Sequence, residues 1–138
     1  MMHEDAPLPA PGPESAPYWT GLREGRLLIQ RCGHCGQLRH YPRPVCDACF
    51  SMQFGWFEAS GRGTIHSWTR THHAFLPVFK PELPYVLVTV DLEEGPRMNA
   101  RLRGDGQGPM IGASVICQFE AHDGNWTFPT FVLAQPER

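Results

Sequence analysis

Lysine is almost absent from this sequence, since Lys80 is the only one in 138 residues. It follows no glycine-rich loop, so a phosphate-binding loop of the Walker type is excluded. The chain also lacks GxGxxG, HExxH and GxSxG motifs, which would indicate a dinucleotide fold, a zinc protease or a serine hydrolase. The net charge is −2. Because non-specific nucleic-acid binding depends on excess positive charge, this balance argues against that function.

Long hydrophobic runs are also missing. No apolar stretch approaches the roughly 20 residues that a membrane-spanning helix needs. The first residues are polar and rich in proline, without the basic start and apolar stretch of a signal peptide. We therefore expect a cytoplasmic protein, in a compartment where thiols stay reduced and bind metal. Hydrophobic residues make up 41% of the chain, which is enough to form a core.

Four of the five cysteines form two CxxC pairs that are separated by ten residues. Two tight turns at this spacing can present four thiolates to one metal ion, and the predicted ligands are Cys32, Cys35, Cys46 and Cys49. The pattern predicts a structural zinc ribbon, in which the filled coordination shell is a scaffold and not a catalyst. Rubredoxin-type iron has the same ligand set, while a redox dithiol or two disulfides are further alternatives. His34 and His40 lie close enough in sequence to replace a cysteine.

The chain divides into three predicted regions. Residues 1–14 alternate proline with other residues and predict a flexible, extended tail. Residues 15–53 predict a short helix over 15–24, with Ser15 as its N-cap, followed by the zinc ribbon. Residues 54–138 predict strands separated by turns, of which the first is Phe54 to Glu58. The fold is thus expected to be mainly β, ending in a small Greek-key barrel that best fits a five-stranded OB-fold.

The predicted loop at residues 72–84 is unusually apolar and rich in proline. Its Phe75 and Phe79 either cover an open end of the barrel or line an apolar ligand channel or a partner interface. Charge is uneven as well, because residues 22–50 carry five arginines against two acidic residues. That basic segment is either a solvated surface or a docking face for an anionic group.

Several short motifs together resemble one known family. The helix and the ribbon are matched by Tyr18-Trp19, Gly21-Leu22, Gly25-Arg26-Leu27, Gln30-Arg31-Cys32, Cys35-Gly36 and Pro42-Arg43-Pro44 with Cys46 and Cys49. The barrel is matched by Gly61-Arg62-Gly63, Ser67-Trp68, Pro84-Tyr85-Val86, Glu94-Gly95-Pro96-Arg97 and Ile111-Gly112. This pattern resembles the acyl-CoA-associated OB-fold proteins with an N-terminal rubredoxin-like zinc ribbon, long catalogued as a domain of unknown function. The resemblance covers about residues 17–134.

The resemblance implies a non-catalytic accessory subunit that binds a thiolase-fold enzyme and helps to hold its CoA thioester. Such proteins are typically encoded beside thiolases, hydroxymethylglutaryl-CoA synthases or aldolases of steroid side-chain breakdown. The ligand would lie where ribbon and barrel meet. Its expected contacts are Arg39 and Arg43 for the phosphates, Phe75, Leu76 and Phe79 for the acyl or pantetheine chain, and Trp68 and Tyr85 as flat walls. The pattern is compatible with a homo-oligomer. Many relatives have a longer helical start than the one short helix predicted here, so the resemblance does not define how copies of this chain would associate.

Two other functions remain open on the sequence alone. OB-folds and zinc ribbons both serve in single-stranded nucleic-acid binding, where aromatic residues stack on bases. Residues 51–138 carry seven basic and nine acidic side chains, which disfavours a groove for a phosphate backbone. A stand-alone thioester hydrolase would need a nucleophile, yet Cys117 alternates with Val115 and Phe119 and predicts a core thiol. His72 and His73 have no carboxylate beside them in sequence. The sequence therefore favours a binding module over an enzyme.

Overall fold

The computed structural model of the chain describes residues 8–104, 109–122 and 126–134, so residues 1–7 of the predicted tail lie outside the described residues. Within these ranges one α-helix precedes eight strands. The elements are α1 (Ala16–Arg23), β1 (Leu28–Cys32), β2 (Leu38–Arg39), β3 (Phe54–Glu58), β4 (Arg62–Thr71), a 3-10 helix (Pro77–Glu82), β5 (Tyr85–Leu92), β6 (Arg97–Arg103), β7 (Ser114–His122) and β8 (Trp126–Leu133). None of the helices in the described ranges is long and apolar enough to cross a membrane.

Helix α1 forms where the sequence predicts it. Pro17 occupies the first turn, where its missing N–H leaves no helical bond unmade. Gly25 follows the helix with a φ of 74°, a left-handed conformation that glycine adopts without steric strain. Ser15 is the N-cap residue, but its hydroxyl donates to the Gly12 carbonyl at 3.4 Å and caps no helical N–H group. The helix is therefore held mainly by the packing of its buried face.

Five strands close into a barrel in the order β4-β5-β6-β8-β7. All neighbours are antiparallel except β6 and β8, which are parallel. A side chain at Gly63 would place its Cβ 2.6 Å from the Asp91 carbonyl oxygen, so this close pairing of β4 with β5 requires glycine. The closed five-stranded barrel confirms the predicted mainly β fold with an OB-fold barrel.

The core of the barrel extends into the helix and the ribbon as one buried cluster. It consists of Tyr18, Leu22, Leu27, Ile29, Ala59, Ile65, Val88, Val90, Leu92, Met98, Val115, Cys117 and Phe131. Burial of a large apolar side chain contributes about 1.5–3 kcal/mol. Leu27 immediately precedes β1 and Ile29 lies within it, and both side chains are part of this cluster. Their packing therefore attaches the ribbon strand β1 to the barrel. The position of Cys117 in the cluster agrees with its predicted role as a core thiol.

One strand pairs differently from the prediction. The sequence placed Phe54 to Glu58 in the barrel region, whereas β3 lies in a separate three-stranded sheet of order β2-β1-β3. It runs antiparallel to β1, from Leu28 opposite Glu58 to Cys32 opposite Phe54. The physical reason is the ribbon itself: the cysteine turns bring the chain after Cys49 back beside Cys32, so the strand that leaves the second turn returns along β1.

Candidate metal centre and ligand surface

The four predicted ligand cysteines converge on one point, with their Sγ atoms all within 4.8 Å of one another. The Sγ atoms of Cys32 and Cys49 are 3.5 Å apart, and those of Cys35 and Cys46 are 3.7 Å apart. A tetrahedral zinc ion with Zn–S bonds of about 2.3 Å places its sulfurs about 3.8 Å apart, so this cluster fits such an ion. These separations exceed an S–S bond, and all four cysteines are free. The two-disulfide alternative is therefore wrong.

Backbone N–H groups in the two turns point at the sulfurs. His34 and Cys35 each donate to Cys32 Sγ at 3.4 Å, and Ala48 donates to Cys46 Sγ at 3.4 Å. Hydrogen bonds from Cys35 and His34 lower the pKa of Cys32 to about 6, and those from Cys49 and Ala48 lower the pKa of Cys46. Both thiols are thereby prepared to bind metal as thiolates.

Neither nearby histidine replaces a cysteine in the cluster, since the four sulfurs complete it. His34 lies exposed in the first turn. His40 packs instead against the rings of Tyr18 and Tyr41, with centroid distances of 5.2 and 4.0 Å. Both of its ring nitrogens are buried without a hydrogen-bond partner among the described residues. This burial lowers the pKa of His40 to about 4.

Arg39 does not reach the surface where the sequence placed it. Its side chain is only 4% exposed, and its Nε donates to Gln30 Oε1 at 2.5 Å. Its Nη2 donates to the Arg43 carbonyl at 3.1 Å, while the Arg43 N–H donates to the same Gln30 oxygen at 2.9 Å. Buried polar groups are held by such bonds, so Arg39 fixes the segment that joins the two cysteine turns. It does not present a cation to a ligand.

The outer surface of β5 and β6 joins the ribbon to the apolar loop. Alternation along β5 directs Val88 and Val90 into the core, and the opposite face, which we call the outer β5–β6 face, carries Tyr85, Leu87, Thr89, Asn99 and Arg101. At one end of this face the Asn99 N–H donates to the Tyr41 hydroxyl of the ribbon at 3.3 Å. Arg43, two residues after Tyr41, is exposed and lies 3.5 Å from Asp47.

The apolar loop lies at the other end of the same face. The Arg101 guanidinium sits 4.1 Å from the ring centroid of Tyr85 and 6.0 Å from that of Phe79, and it forms an ion pair with Glu82. Residues Asn99 and Arg101 are two apart, which is about 7 Å along a strand. Next to this anchored 3-10 helix, Phe75 is 91% exposed and Leu76 is 45% exposed. The loop is thus pinned at its second half while it presents apolar side chains to solvent.

Trp68 lies apart from this surface. It pairs with Val88 and shares the inner face of the sheet, whereas Tyr85 lies on the outer face. Its ring packs against the hydrophobic core, with the Arg70 guanidinium 5.7 Å from its centroid. Of the predicted ligand residues, the structure therefore brings Phe79 and Tyr85 together around Arg101, with the exposed Phe75 and Leu76 nearby in the same loop. It leaves Arg43 at the ribbon end and separates Arg39 and Trp68 from both.

Three residues of this surface were not predicted from the sequence: Tyr41, Leu87 and Arg101. In the sequence Met98, Ala100 and Leu102 alternate with Arg101, so a signal for Arg101 on the opposite face of β6 was present. The contact between Tyr41 and Asn99 spans 58 residues and has no sequence signal.

Comparison with known families finds two models that match this chain. The model of the ChsH2 rubredoxin-like zinc ribbon domain matches residues 19–54, and that of the ChsH2 C-terminal OB-fold domain matches residues 56–120. A solved structure titled "Ltp2-ChsH2(DUF35) aldolase" contains a similar chain, with 35% sequence identity and a TM-score of 0.82. The alignment covers 91% of this chain and 98% of that one.

Three curated relatives are similar over part of their length. A probable enoyl-CoA hydratase alpha subunit of Thermomonospora curvata is 36% identical over 95% of this chain, which spans 41% of that protein. A DUF35 domain-containing scaffold protein of Pyrococcus furiosus is 38% identical over 62% of both chains. The benzoylsuccinyl-CoA thiolase subunit BbsA of Geobacter metallireducens is 30% identical over 76% of this chain and 63% of its own length. The chain thus spans less than two thirds of each of these curated relatives.

Proposed function

Because this chain belongs to the ChsH2 (DUF35) family of rubredoxin-like zinc ribbons joined to OB-folds, we propose that it is a non-catalytic accessory subunit of a thiolase-fold enzyme. In this proposal it binds the enzyme and helps to hold an acyl-CoA thioester during acyl transfer, condensation or retro-aldol cleavage. The observation that carries the proposal is the outer β5–β6 face, which connects a cationic ribbon segment with an apolar, anchored loop.

The chemistry of CoA thioesters matches the two ends of this face. A CoA thioester has anionic phosphates at one end and an uncharged pantetheine and acyl chain at the other. At the ribbon end Arg43 offers an exposed guanidinium, whose solvent-exposed 3.5 Å ion pair with Asp47 is weak enough for a phosphate to replace. Phe75, Leu76 and Phe79 offer apolar contact at the loop end, with Leu87, 38% exposed, on the face between them. An extended ligand along this face would contact both ends.

The names of the similar proteins support the proposal that this chain binds an enzyme. They include an aldolase complex of Ltp2 with ChsH2, a benzoylsuccinyl-CoA thiolase subunit and a scaffold protein. If this chain has the same role as those proteins, its ribbon would be a rigid element on which the partner enzyme docks. Zinc, when bound, would supply folding energy to the ribbon. Its role would be structural, because a site of four thiolates keeps no open coordination position for a substrate. The chain's own contribution is to bind and orient the thioester beside the partner's reactive groups.

The hydratase subunit name raises the question of catalysis by this chain. The described residues bring one histidine near a carboxylate outside the ribbon: His66 Nδ1 lies 3.6 Å from Asp91 Oδ2. Arg97 also contacts both groups, at 2.5 Å from Asp91 and 3.1 Å from His66. This exposed ion-pair cluster holds the carboxylate with a guanidinium and leaves it poorly suited to orient a general base. We therefore assign the reaction to the partner.

Isothermal titration of the zinc-loaded protein with octanoyl-CoA tests the ligand site. Phe79→Ala and Arg43→Ala are each expected to weaken binding by roughly 1–3 kcal/mol, because each removes one contact at one end of the ligand. Arg43→Ala should weaken CoA and octanoyl-CoA alike, whereas Phe79→Ala should weaken octanoyl-CoA more. Phe50→Ala and Arg23→Ala are matched controls on exposed residues elsewhere and should bind as the parent does. Equal affinity of all four variants would place the ligand elsewhere.

We also predict no sequence-independent binding of single-stranded DNA at physiological salt. Three of the five arginines on the described barrel strands are engaged by carboxylates: Arg97 by Asp91, Arg101 by Glu82 and Arg103 by Glu120. Only Arg62 and Arg70 lack such a partner there, so few cations remain whose counterion release could drive binding. Fluorescence anisotropy with labelled oligothymidylate over a salt series measures this. A micromolar affinity that falls steeply with salt would instead support the nucleic-acid function.

A further inference from the structure

The outer edge of β3 is an unpaired strand edge. The barrel strands close on one another, whereas the ribbon sheet ends with β3 on one side, and no other strand of the described ranges pairs with it there. Natural proteins protect such edges with lysine, proline, bulges or inward charges. Strand β3 has the sequence Phe-Gly-Trp-Phe-Glu, and its only charge, Glu58, is tied to Arg26 at 2.9 Å. It therefore offers an unprotected, aromatic edge.

The backbone bonds fix which groups of this edge point outward. The Gly33 N–H donates to the Gln53 carbonyl at 2.7 Å, and the Ala59 N–H donates to the Leu27 carbonyl at 2.8 Å. Bonding residues alternate along an antiparallel strand, so the odd-numbered residues of β3 bond to β1. The N–H and C=O groups of Phe54, Trp56 and Glu58 consequently point away from the sheet. Three residues with free donors and acceptors are enough to receive another strand.

One face of this edge combines an exposed aromatic with an open space. Gly55 and Phe57 lie on the same face of β3, and Phe57 is 37% exposed. Apart from its chain neighbours, no heavy atom of the described residues lies within 4 Å of where a Cβ of Gly55 would be. Beside Gly55 is a groove of about 450 Å³, lined by Arg31, Cys32, Gly33, His34, Cys35, Gly36, Gly55 and Trp56. An apolar side chain that approached Gly55 would enter this groove.

We propose that β3 pairs antiparallel with β3 of a second copy of this chain, about a two-fold axis at Trp56. This register pairs Trp56 with Trp56 and Phe54 with Glu58 through the outward-pointing backbone groups. It places Gly55 opposite Phe57 of the second copy in a non-hydrogen-bonded pair, where side chains approach most closely. Each copy's exposed phenylalanine thus fills the other's glycine space. Such self-complementarity is what a two-fold interface requires.

The charges around the groove favour an aromatic occupant over a free anion. Arg31 has no ion-pair partner among the described residues, so it is available to the ring of Phe57 from the second copy. The groove also borders Cys32 and Cys35. Four thiolates on a divalent ion carry a net negative charge, which repels an anionic ligand from the same place. In the proposed register Glu58 lies opposite Phe54, so no like charges meet.

Sedimentation of the zinc-loaded protein over a dilution series tests the pairing. The parent is expected to dimerise in a concentration-dependent manner, because one five-residue strand pair is a small interface. Phe57→Lys should raise the dissociation constant by about tenfold or more, since symmetry makes the substitution act twice. Phe75→Lys makes the same change at an exposed residue of the apolar loop and should leave the constant unchanged. Metal content and circular dichroism of both variants verify that the ribbon remains folded.

A disulfide test reports the register. Gly55→Cys protein mixed with Phe57→Cys protein should form a cross-linked pair under mild oxidation, in excess over either variant alone. A monomeric parent at all concentrations, or a Phe57→Lys variant that dimerises as the parent does, would overturn the proposal. Cross-linking of either variant alone as efficiently as the mixture would also overturn this register. Association only in the presence of the enzyme partner would assign the edge to that partner and not to a second copy.

Discussion

Replacing Cys46 by serine is expected to release the metal and unfold the ribbon. Cys46 Sγ is fully buried and is one of the four converging sulfurs, and a serine hydroxyl does not replace a thiolate as a zinc ligand. Zinc binding to a site of this kind supplies about 10–16 kcal/mol of apparent free energy, which the short ribbon segments cannot obtain from a core. The barrel should survive at a lower melting temperature, because β1 also packs into its core through Leu27 and Ile29.

Elemental analysis and amide exchange measure the two parts of this prediction. Cys117→Ser is the matched control, because Cys117 is buried in the barrel core and lies outside the one candidate metal cluster of the described residues. That variant should keep one metal ion per chain even if the buried hydroxyl lowers stability. Fast amide exchange in Cys46→Ser should be confined to the ribbon. Parent protein that folds under reducing conditions without metal would contradict the prediction, and so would a full metal complement in Cys46→Ser.

Protonation of His40 alone should lower the free energy of unfolding by about 3 kcal/mol as the pH drops from 6.5 towards 4. Burial against Tyr18 and Tyr41 lowers the pKa of this histidine from 6.5 to about 4 in the folded chain. Between these values the unfolded chain binds a proton that the folded chain does not. Acid therefore favours the unfolded state, and the loss is complete below the folded pKa.

Urea unfolding of the parent and of His40→Phe at pH 7 and pH 4.5 isolates this effect. Phenylalanine keeps the aromatic ring but cannot be protonated, so the variant should lose less stability in acid than the parent. Thiolate protonation also releases metal in acid, and that loss is common to both proteins, so the difference between them reports His40. His73→Phe, at an exposed position, should follow the parent. Parallel losses in the parent and His40→Phe would show that His40 is solvated.

Local patterns predicted most of the architecture. The cysteine spacing alone defines the metal site, because each CxxC turn places two thiolates together whatever the rest of the chain does. The alternation along β5 is an equally local signal, since Val88 and Val90 on one face of the strand are buried. The helix boundaries were predicted to within a residue because Pro17 and Gly25 impose backbone conformations.

The differences lie in long-range contacts. Strand β3 has the same local signal in either sheet, and only the return of the chain after Cys49 selects β1 as its neighbour. Arg39 is an exposed residue by composition, yet Gln30 supplies it with a buried acceptor nine residues earlier in the chain. Trp68 and Tyr85 lie on adjacent strands, but the register with Trp68 opposite Val88 puts their side chains on opposite faces of the sheet. A shift of one residue in that register would reverse this outcome.

Titration of octanoyl-CoA into a thiolase-fold enzyme from the same organism, with and without the zinc-loaded chain, tests the accessory-subunit proposal most directly. We expect the two proteins to form a complex that binds octanoyl-CoA more tightly than the enzyme alone does. Phe79→Ala and Arg43→Ala should reduce that gain, because they remove contacts at the two ends of the outer β5–β6 face. A chain that associates with the enzyme but leaves its affinity for octanoyl-CoA unchanged would contradict the proposal, and so would the absence of a complex.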